Sequence, residues 1–157
     1  MTNLSGSGLA VDVPSGWEAR IYSRPTPTDL RPASAHGQPQ DNAVLHVASF
    51  PLPPGTGDYG GGAVEVMTNR DIFVVLMEHG SQSVGTALFA ATGVPRLTVD
   101  EVSRTCLQRL IEGQGGAQRF FTVNARAFCL YVVFGSFGRR IRTIPVVNSI
   151  LETVSIT

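Results

Sequence analysis

The stretch Gln118-Arg-Phe-Phe-Thr-Val-Asn-Ala-Arg-Ala-Phe-Cys-Leu-Tyr-Val-Val-Phe134 decides the architecture. Gln118 to Val123 and Ala127 to Phe134 read as two strands rich in aromatic and β-branched residues. Asn124-Ala-Arg126 between them is a short polar connection of the kind that closes a hairpin. The second arm contains the longest apolar run of the chain, Phe128 to Phe134. A membrane-spanning helix needs about 20 such residues, so this run is core and not a span.

Working outward, Ile72-Phe-Val-Val-Leu-Met77 is apolar almost without interruption, which predicts a strand buried on both faces at the centre of a sheet. Helices must then cover at least one face. After Gly135 to Gly138, the residues Ile141, Ile144, Val147, Ile150, Leu151 and Val154 recur at helical spacing and predict an amphipathic terminal helix. Pro145 is tolerable if that helix begins around Ile144 and damaging if it begins earlier.

Leu9 to Val13 and Trp17 to Tyr22 alternate with period two around Pro14-Ser15-Gly16, which predicts an opening hairpin. Val44 to Phe50 is a further strand, ended by Pro51-Leu-Pro-Pro54. Ala63 to Met67 is read as the hairpin partner of Ile72 to Met77 across Thr68-Asn-Arg-Asp71. Gly80 to Arg96 fits a short helix or turn stopped by Gly93 and Pro95. Thr98-Val-Asp-Glu101 has capping-box spacing, followed either by an extended Cys106 to Ile111 or by one longer helix from Val99 to Ile111. Two long loops remain: Pro-rich residues 23–42 and Pro/Gly-rich residues 51–62. The expectation is one α+β domain over residues 1–157, with an antiparallel sheet of about six to eight strands packed by a C-terminal helix and one or two short helices.

The chain's 157 residues, 43% of them hydrophobic, suffice for a sizeable core without a disulfide or metal staple. Twelve basic residues balance twelve acidic ones, which speaks against nucleic acid as a partner. Every basic residue is Arg, a pattern of GC-rich coding bias more than of selection for bidentate contacts. The opening residues lack a charged segment followed by an apolar core, which predicts a soluble, cytoplasmic protein that does not engage a membrane.

Candidate chemistry is sparse. Cys106 and Cys129 lack metal-knuckle or redox spacing and read as buried free thiols. Gly60-Gly-Gly62 has no following Lys-Ser or Lys-Thr, so it is not a phosphate loop. His36, His46 and His79 are scattered, and a triad of His79 with Asp71 or Glu78 and a serine would require the fold to assemble it. No catalytic, metal-ligating or cofactor-binding set is assigned, and no cofactor is implied. The candidate interface comprises Tyr22, Phe50, Tyr59 and Phe137, aromatics at loop edges, with Arg139, Arg140 and Arg142 at the start of the terminal helix. The alternative for the aromatics is closure of the core under long loops; for the arginines it is simple solvation. The arginine-dense C-terminal third, with Arg119 and Arg126, reads otherwise as a surface for an anion or acidic partner.

Val13-Pro14-Ser15-Gly16-Trp17 near the start, and Val147-Asn148-Ser149-Ile150-Leu151 followed by Val154-Ser155-Ile156 at the end, resemble the Mog1/PsbP-like α/β/α sandwich superfamily. That resemblance spans most of the chain. It implies a binding or assembly module, because the superfamily includes photosystem accessory subunits, a Ran-binding protein and bacterial lipoproteins, and it brings no catalytic residues. Trp17 would fill the core between sheet and helix, and Asn148 would satisfy a nearby backbone group. The Pro-rich loop at 23–42 is not part of that pattern, and the lack of a lipobox cysteine departs from the exported members.

The resulting functional expectation is a non-enzymatic module that binds another protein or itself, as a homo-oligomer or as a subunit of a larger assembly. The rival is a small-molecule-binding protein or enzyme with a pocket between sheet and terminal helix, marked by convergent groups such as His46, His79 or Arg119.

Overall fold

The computed structural model describes residues 1–24 and 42–157. The hairpin read from Gln118 to Phe134 is present as β6 (Gly115–Val123) and β7 (Arg126–Phe134). Its connection is two residues, Asn124 and Ala125, both left-handed with φ of 50° and 58°. Two consecutive left-handed residues form a turn whose twist matches that of the flanking strands. Strand β5 (Ile72–His79) lies at the centre, as its unbroken apolar run requires, with β4 (Asn42–Ala48) on one side and β7 on the other. With β3 (Glu18–Arg24) at one edge and β6 at the other, the antiparallel order is β3-β4-β5-β7-β6.

A second antiparallel sheet has the order β1-β2-β8, formed by β1 (Thr2–Gly6), β2 (Leu9–Val13) and β8 (Ser155–Ile156). The eight strands of the described residues are thus divided between two sheets, not gathered in one. The opening hairpin is also corrected: Leu9–Val13 pairs with Thr2–Gly6, and Glu18–Arg24 turns away to pair with Asn42–Ala48. Pro14-Ser15-Gly16 is therefore a link between sheets. Its Trp17 N–H still donates to the Pro14 carbonyl at 3.1 Å.

Successive strand residues point to opposite faces, and the register sorts the large sheet accordingly. Leu45, Val74, Leu76, Phe128, Leu130 and Val132 share one face, packed against Leu9 and Val11 of the small sheet and against the α-helix. That helix, α1 (Arg140–Leu151), contributes Ile144, Val147, Ile150 and Leu151 to the same core. Val44, Phe73, Val75, Met77, Cys129 and Tyr131 line the opposite face, which is covered by Phe50, Leu52, Ala63 and Val64 with Tyr59 and Leu107. Each fully buried Leu, Ile, Val or Phe contributes about 1.5–3 kcal/mol, so both faces hold the sheet.

Helix α1 begins at Arg140, ahead of Pro145. The carbonyl that a residue-145 N–H would have bonded belongs to Ile141, which is 68% exposed. Water can serve that carbonyl, and the break in the ladder costs less on this side than on the core side. Asn148, 4% exposed, accepts from the Leu97 N–H at 2.8 Å and donates to the Leu97 carbonyl at 2.9 Å, clamping the preceding connection to the helix.

Two local readings are corrected. Ala63 to Met67 is not a strand: Val64–Val66 is a 3₁₀ turn. Two left-handed glycines, Gly60 and Gly62 (φ 90° and 89°), reverse the chain just before it, and the apolar Ala63 and Val64 pack down on Phe73. Cys106 to Ile111 is neither strand nor helix, whereas Gly80 to Arg96 does hold short turns, the 3₁₀ turns Ser81–Ser83 and Ala87–Phe89. The capping box does form, with Thr98 and Glu101 bonded reciprocally around Val99–Glu101. No helix among the described residues is long and apolar enough to cross a membrane.

Candidate functional site

Two groups of polar side chains stand out. The first is built on the sheet face that carries Phe73. Arg20, Tyr22 and Arg24 of edge strand β3 share that face with His46 of β4, because Arg20 pairs with His46 and Tyr22 with Val44. The Gly-rich loop places Asp58 over them. Its carboxylate accepts the Tyr22 hydroxyl at 2.5 Å and Arg24 Nη1 at 3.2 Å, and its carbonyl lies 2.9 Å from His46 Nε2. Since the carbonyl can only accept, Nε2 carries a proton.

The electrostatics follow from burial. His46 is fully buried, which holds its pKa below the ordinary 6.5 despite the acceptor on Nε2. Its Nδ1 has no hydrogen-bond partner among the described residues. Burial, reinforced by the bond to Asp58, pushes the Tyr22 hydroxyl well above its usual range. A tyrosine held protonated and donating to a carboxylate that is also paired with Arg24 is a clamp on the loop, not a poised acid or base. His79, half-buried against Phe89 and Phe120, is likewise lowered by burial and then by Arg24.

The fold does not assemble the candidate triad. Glu78 and His79 are neighbours on β5 and point to opposite faces. Glu78 is engaged by Arg126, at 2.8 Å from its Nη2, and Asp71 bonds the Ser49 hydroxyl and the Thr68 N–H at the other end of the strand. His36 lies outside the described residues. Cys106 and Cys129 are free thiols. Burial raises the pKa of both, so neither is activated as a nucleophile. Among the described residues no group of His, Cys, Asp and Glu could hold a metal ion.

The second group lies at the N-terminal end of α1. Phe137, in the 3₁₀ turn Phe137–Arg139, is fixed by its N–H donating to the Gly113 carbonyl at 2.8 Å. Two guanidiniums stack on its ring, Arg140 with Cζ 3.9 Å and Arg104 with Cζ 4.6 Å from the centroid. Beside it Gly138, Arg139, Ile141 and Arg142 line a surface hollow of about 390 Å³. None of these four arginines pairs with a described carboxylate, whereas Arg24, Arg96, Arg109, Arg119 and Arg126 all do. The first turn of α1 also lacks an acidic residue.

The candidate interface residues therefore separate. Phe137, Arg139, Arg140 and Arg142 gather in this second group, which Arg104 joins from the loop before β6. Tyr22 belongs to the Asp58 clamp, Tyr59 packs edge-on against Tyr131, and Phe50, 8% exposed, packs in the core near Phe73. A further hollow of about 400 Å³ lies where β1 meets the start of β3, lined by Leu4, Val13, Trp17, Ala19, Arg20 and Leu52. Trp17 is half-buried there and packs against the core from its edge, not from between sheet and helix.

Fold and site together define an α+β protein with, among the described residues, two antiparallel sheets, one α-helix, structural polar clamps inside and an unpaired arginine–aromatic surface outside. Set against known protein families, curated proteins and solved structures, the chain matches none.

Proposed function

We propose that the protein is a non-enzymatic interaction or assembly module that binds another protein or a second copy of itself in the cytoplasm, in the manner of the Mog1/PsbP-like sandwich it resembles. The observation that carries this reading is the filled interior between sheet and helix. Leu45, Val74, Leu76, Leu130, Ile144 and Val147 occupy that space, where a ligand pocket would otherwise lie. The hollows at Trp17 and at Arg142 both open on the surface.

The polar groups that marked the pocket alternative support the same reading. His46 and His79 lie on the sheet face away from α1, and Arg119 is ion-paired with Glu101. Free thiols at Cys106 and Cys129 fit a reducing compartment. The order of antiparallel strands followed by a late helix, and the Asn148 clamp on the Leu97 backbone, fit the Mog1/PsbP-like pattern.

Light scattering on the purified chain, followed by native mass spectrometry on the same sample, tests the proposal. A ligand-free oligomer, or a ligand-free monomer that acquires mass with a partner protein, is the expected result. A monomer that retains a stoichiometric small molecule overturns it.

A further inference from the structure

Resting on the interaction reading above, we infer that the surface formed by Arg104, Phe137, Arg139, Arg140, Ile141 and Arg142 docks an acidic segment of a different protein, one whose carboxylates are interleaved with an apolar side chain. Charge complementarity carries the first part. The arginines are unpaired among the described residues, and the first turn of the adjoining helix carries no acidic residue to compensate them. Guanidinium forks match carboxylates in two-pronged geometry. Stacking on Phe137 holds two of those forks in place before any partner arrives, which lowers the ordering cost of binding.

The apolar part comes from Ile141. It is 68% exposed and lines the hollow between Arg139 and Arg142, so the basic ring encloses an aliphatic contact. Nucleic acid would leave that contact unused, and the chain's zero net charge gives no extended basic track for successive phosphates. A second copy of the chain is a poor source of the ligand. Among the described carboxylates, Asp12, Glu18, Asp58, Glu65, Asp71, Glu78, Glu101 and Glu152 already hold hydrogen-bond or ion-pair partners. Only Asp100 and Glu112 do not; Asp100 has one acidic neighbour, Glu101, which is already ion-paired, and Glu112 has none.

The test uses the full chain and a fluorescein-labelled peptide of Glu and Leu residues, read by fluorescence anisotropy beside its Gln-for-Glu counterpart, an oligonucleotide of equal charge and anionic lipid vesicles. The Glu peptide is expected to bind and the Gln peptide not to. Arg139→Gln with Arg142→Gln is expected to weaken binding by about tenfold or more, and Ile141→Ala by a smaller factor. Ile141 and Arg142 are exposed and Arg139 is half-buried, and an unchanged urea midpoint verifies that the variants are folded.

Absence of Glu-peptide binding, equal binding by the double arginine variant, or tighter binding of the oligonucleotide or vesicles overturns the inference. Self-association in the light-scattering experiment that the double variant abolishes also overturns it, because the surface would then take a second copy of the chain, while the interaction reading stands. A retained small molecule removes both.

Discussion

Arg126 grips Glu78 with two parallel hydrogen bonds, Nε to Oε1 and Nη2 to Oε2, each 2.8 Å long. The same guanidinium donates to the carbonyls of Thr157 and Ser7, and Glu78 Oε2 also accepts the Ala43 N–H. One arginine on β7 therefore joins the centre of the large sheet to both the β1–β2 turn and the strand after α1.

The pair is largely out of water, with side-chain exposures of 18% and 9%. Removing one partner of such a pair strands the other, at a cost of about 3 kcal/mol. Arg126→Met is expected to lower stability by about that amount in urea unfolding, as is Glu78→Met. The double variant is expected to lose much less than the sum of the two single losses. An additive result would show that the bonds to Ser7 and Thr157, not the ion pair, carry the effect.

Gly60 supports the loop that carries Asp58. It has φ of 90°, and a Cβ there would lie 2.6 Å from Phe73 Cε1 and 2.9 Å from Val64 Cγ1. Gly60→Ala is expected to cost about 2 kcal/mol by combining left-handed strain with overpacking. Gly61→Ala has open space around it, and its φ lies outside the left-handed range, so it is expected to be near neutral. Equal urea midpoints for the two variants would remove the argument that this loop is seated on Phe73.

How much was legible in the sequence follows from which forces were local. The Phe128–Phe134 and Ile72–Met77 runs announce central strands because burial on both faces leaves no room for polar residues. Thr2–Gly6 was missed: an edge strand with polar residues outward has no apolar alternation, and only its pairing with β2 defines it. Ala63 to Met67 alternated like a strand, but the apolar residues serve a turn folded over Phe73. The arginines at 139, 140 and 142 could be read as a cluster because they are sequence neighbours. Arg104 could not, since the Ser103–Gly116 pairing and the Phe137–Gly113 bond, both long-range, bring its loop alongside. The Asp58 clamp was equally hidden, its members being separated by the whole of the segment between β3 and the Gly-rich loop.

His46 gives the fold a pH dependence with a definite sign. Burial holds its folded-state pKa below 6.5, and burial followed by Arg24 does the same for His79. The unfolded chain then binds protons more readily, so this stability is complete above about pH 6.5 and drains as pH falls below it. Glu65, bonded by its own N–H and that of Gly62, lies below its ordinary 4.5. So does Glu101, where burial is outweighed by the Thr98 N–H and Arg119. Their contribution is lost only at lower pH. Urea midpoints between about pH 7.5 and 5 are expected to fall for the native chain and to fall less for His46→Phe. A parallel decline in both would place the titrating groups elsewhere.

The β6–β7 turn offers a stabilising substitution. Asn124 accepts a left-handed φ readily, and its Nδ2 also donates to the Ile156 carbonyl at 2.6 Å, holding the turn to β8. Ala125 has a φ of 58° with no comparable bond, and a Cβ in that region costs about 1 kcal/mol. Glycine removes this cost but gives the unfolded chain more freedom, which takes back part of the gain. Because the Asn-Gly pair suits a turn of this hand, Ala125→Gly is expected to raise stability by about 0.5 kcal/mol. Asn124→Ala loses both the favoured conformer and the bond to β8, so it is expected to lower stability by about 1 kcal/mol or more. Opposite shifts in thermal midpoint at two adjacent residues would tie both effects to backbone handedness; a loss at Ala125 would show that its methyl group is packed and not strained.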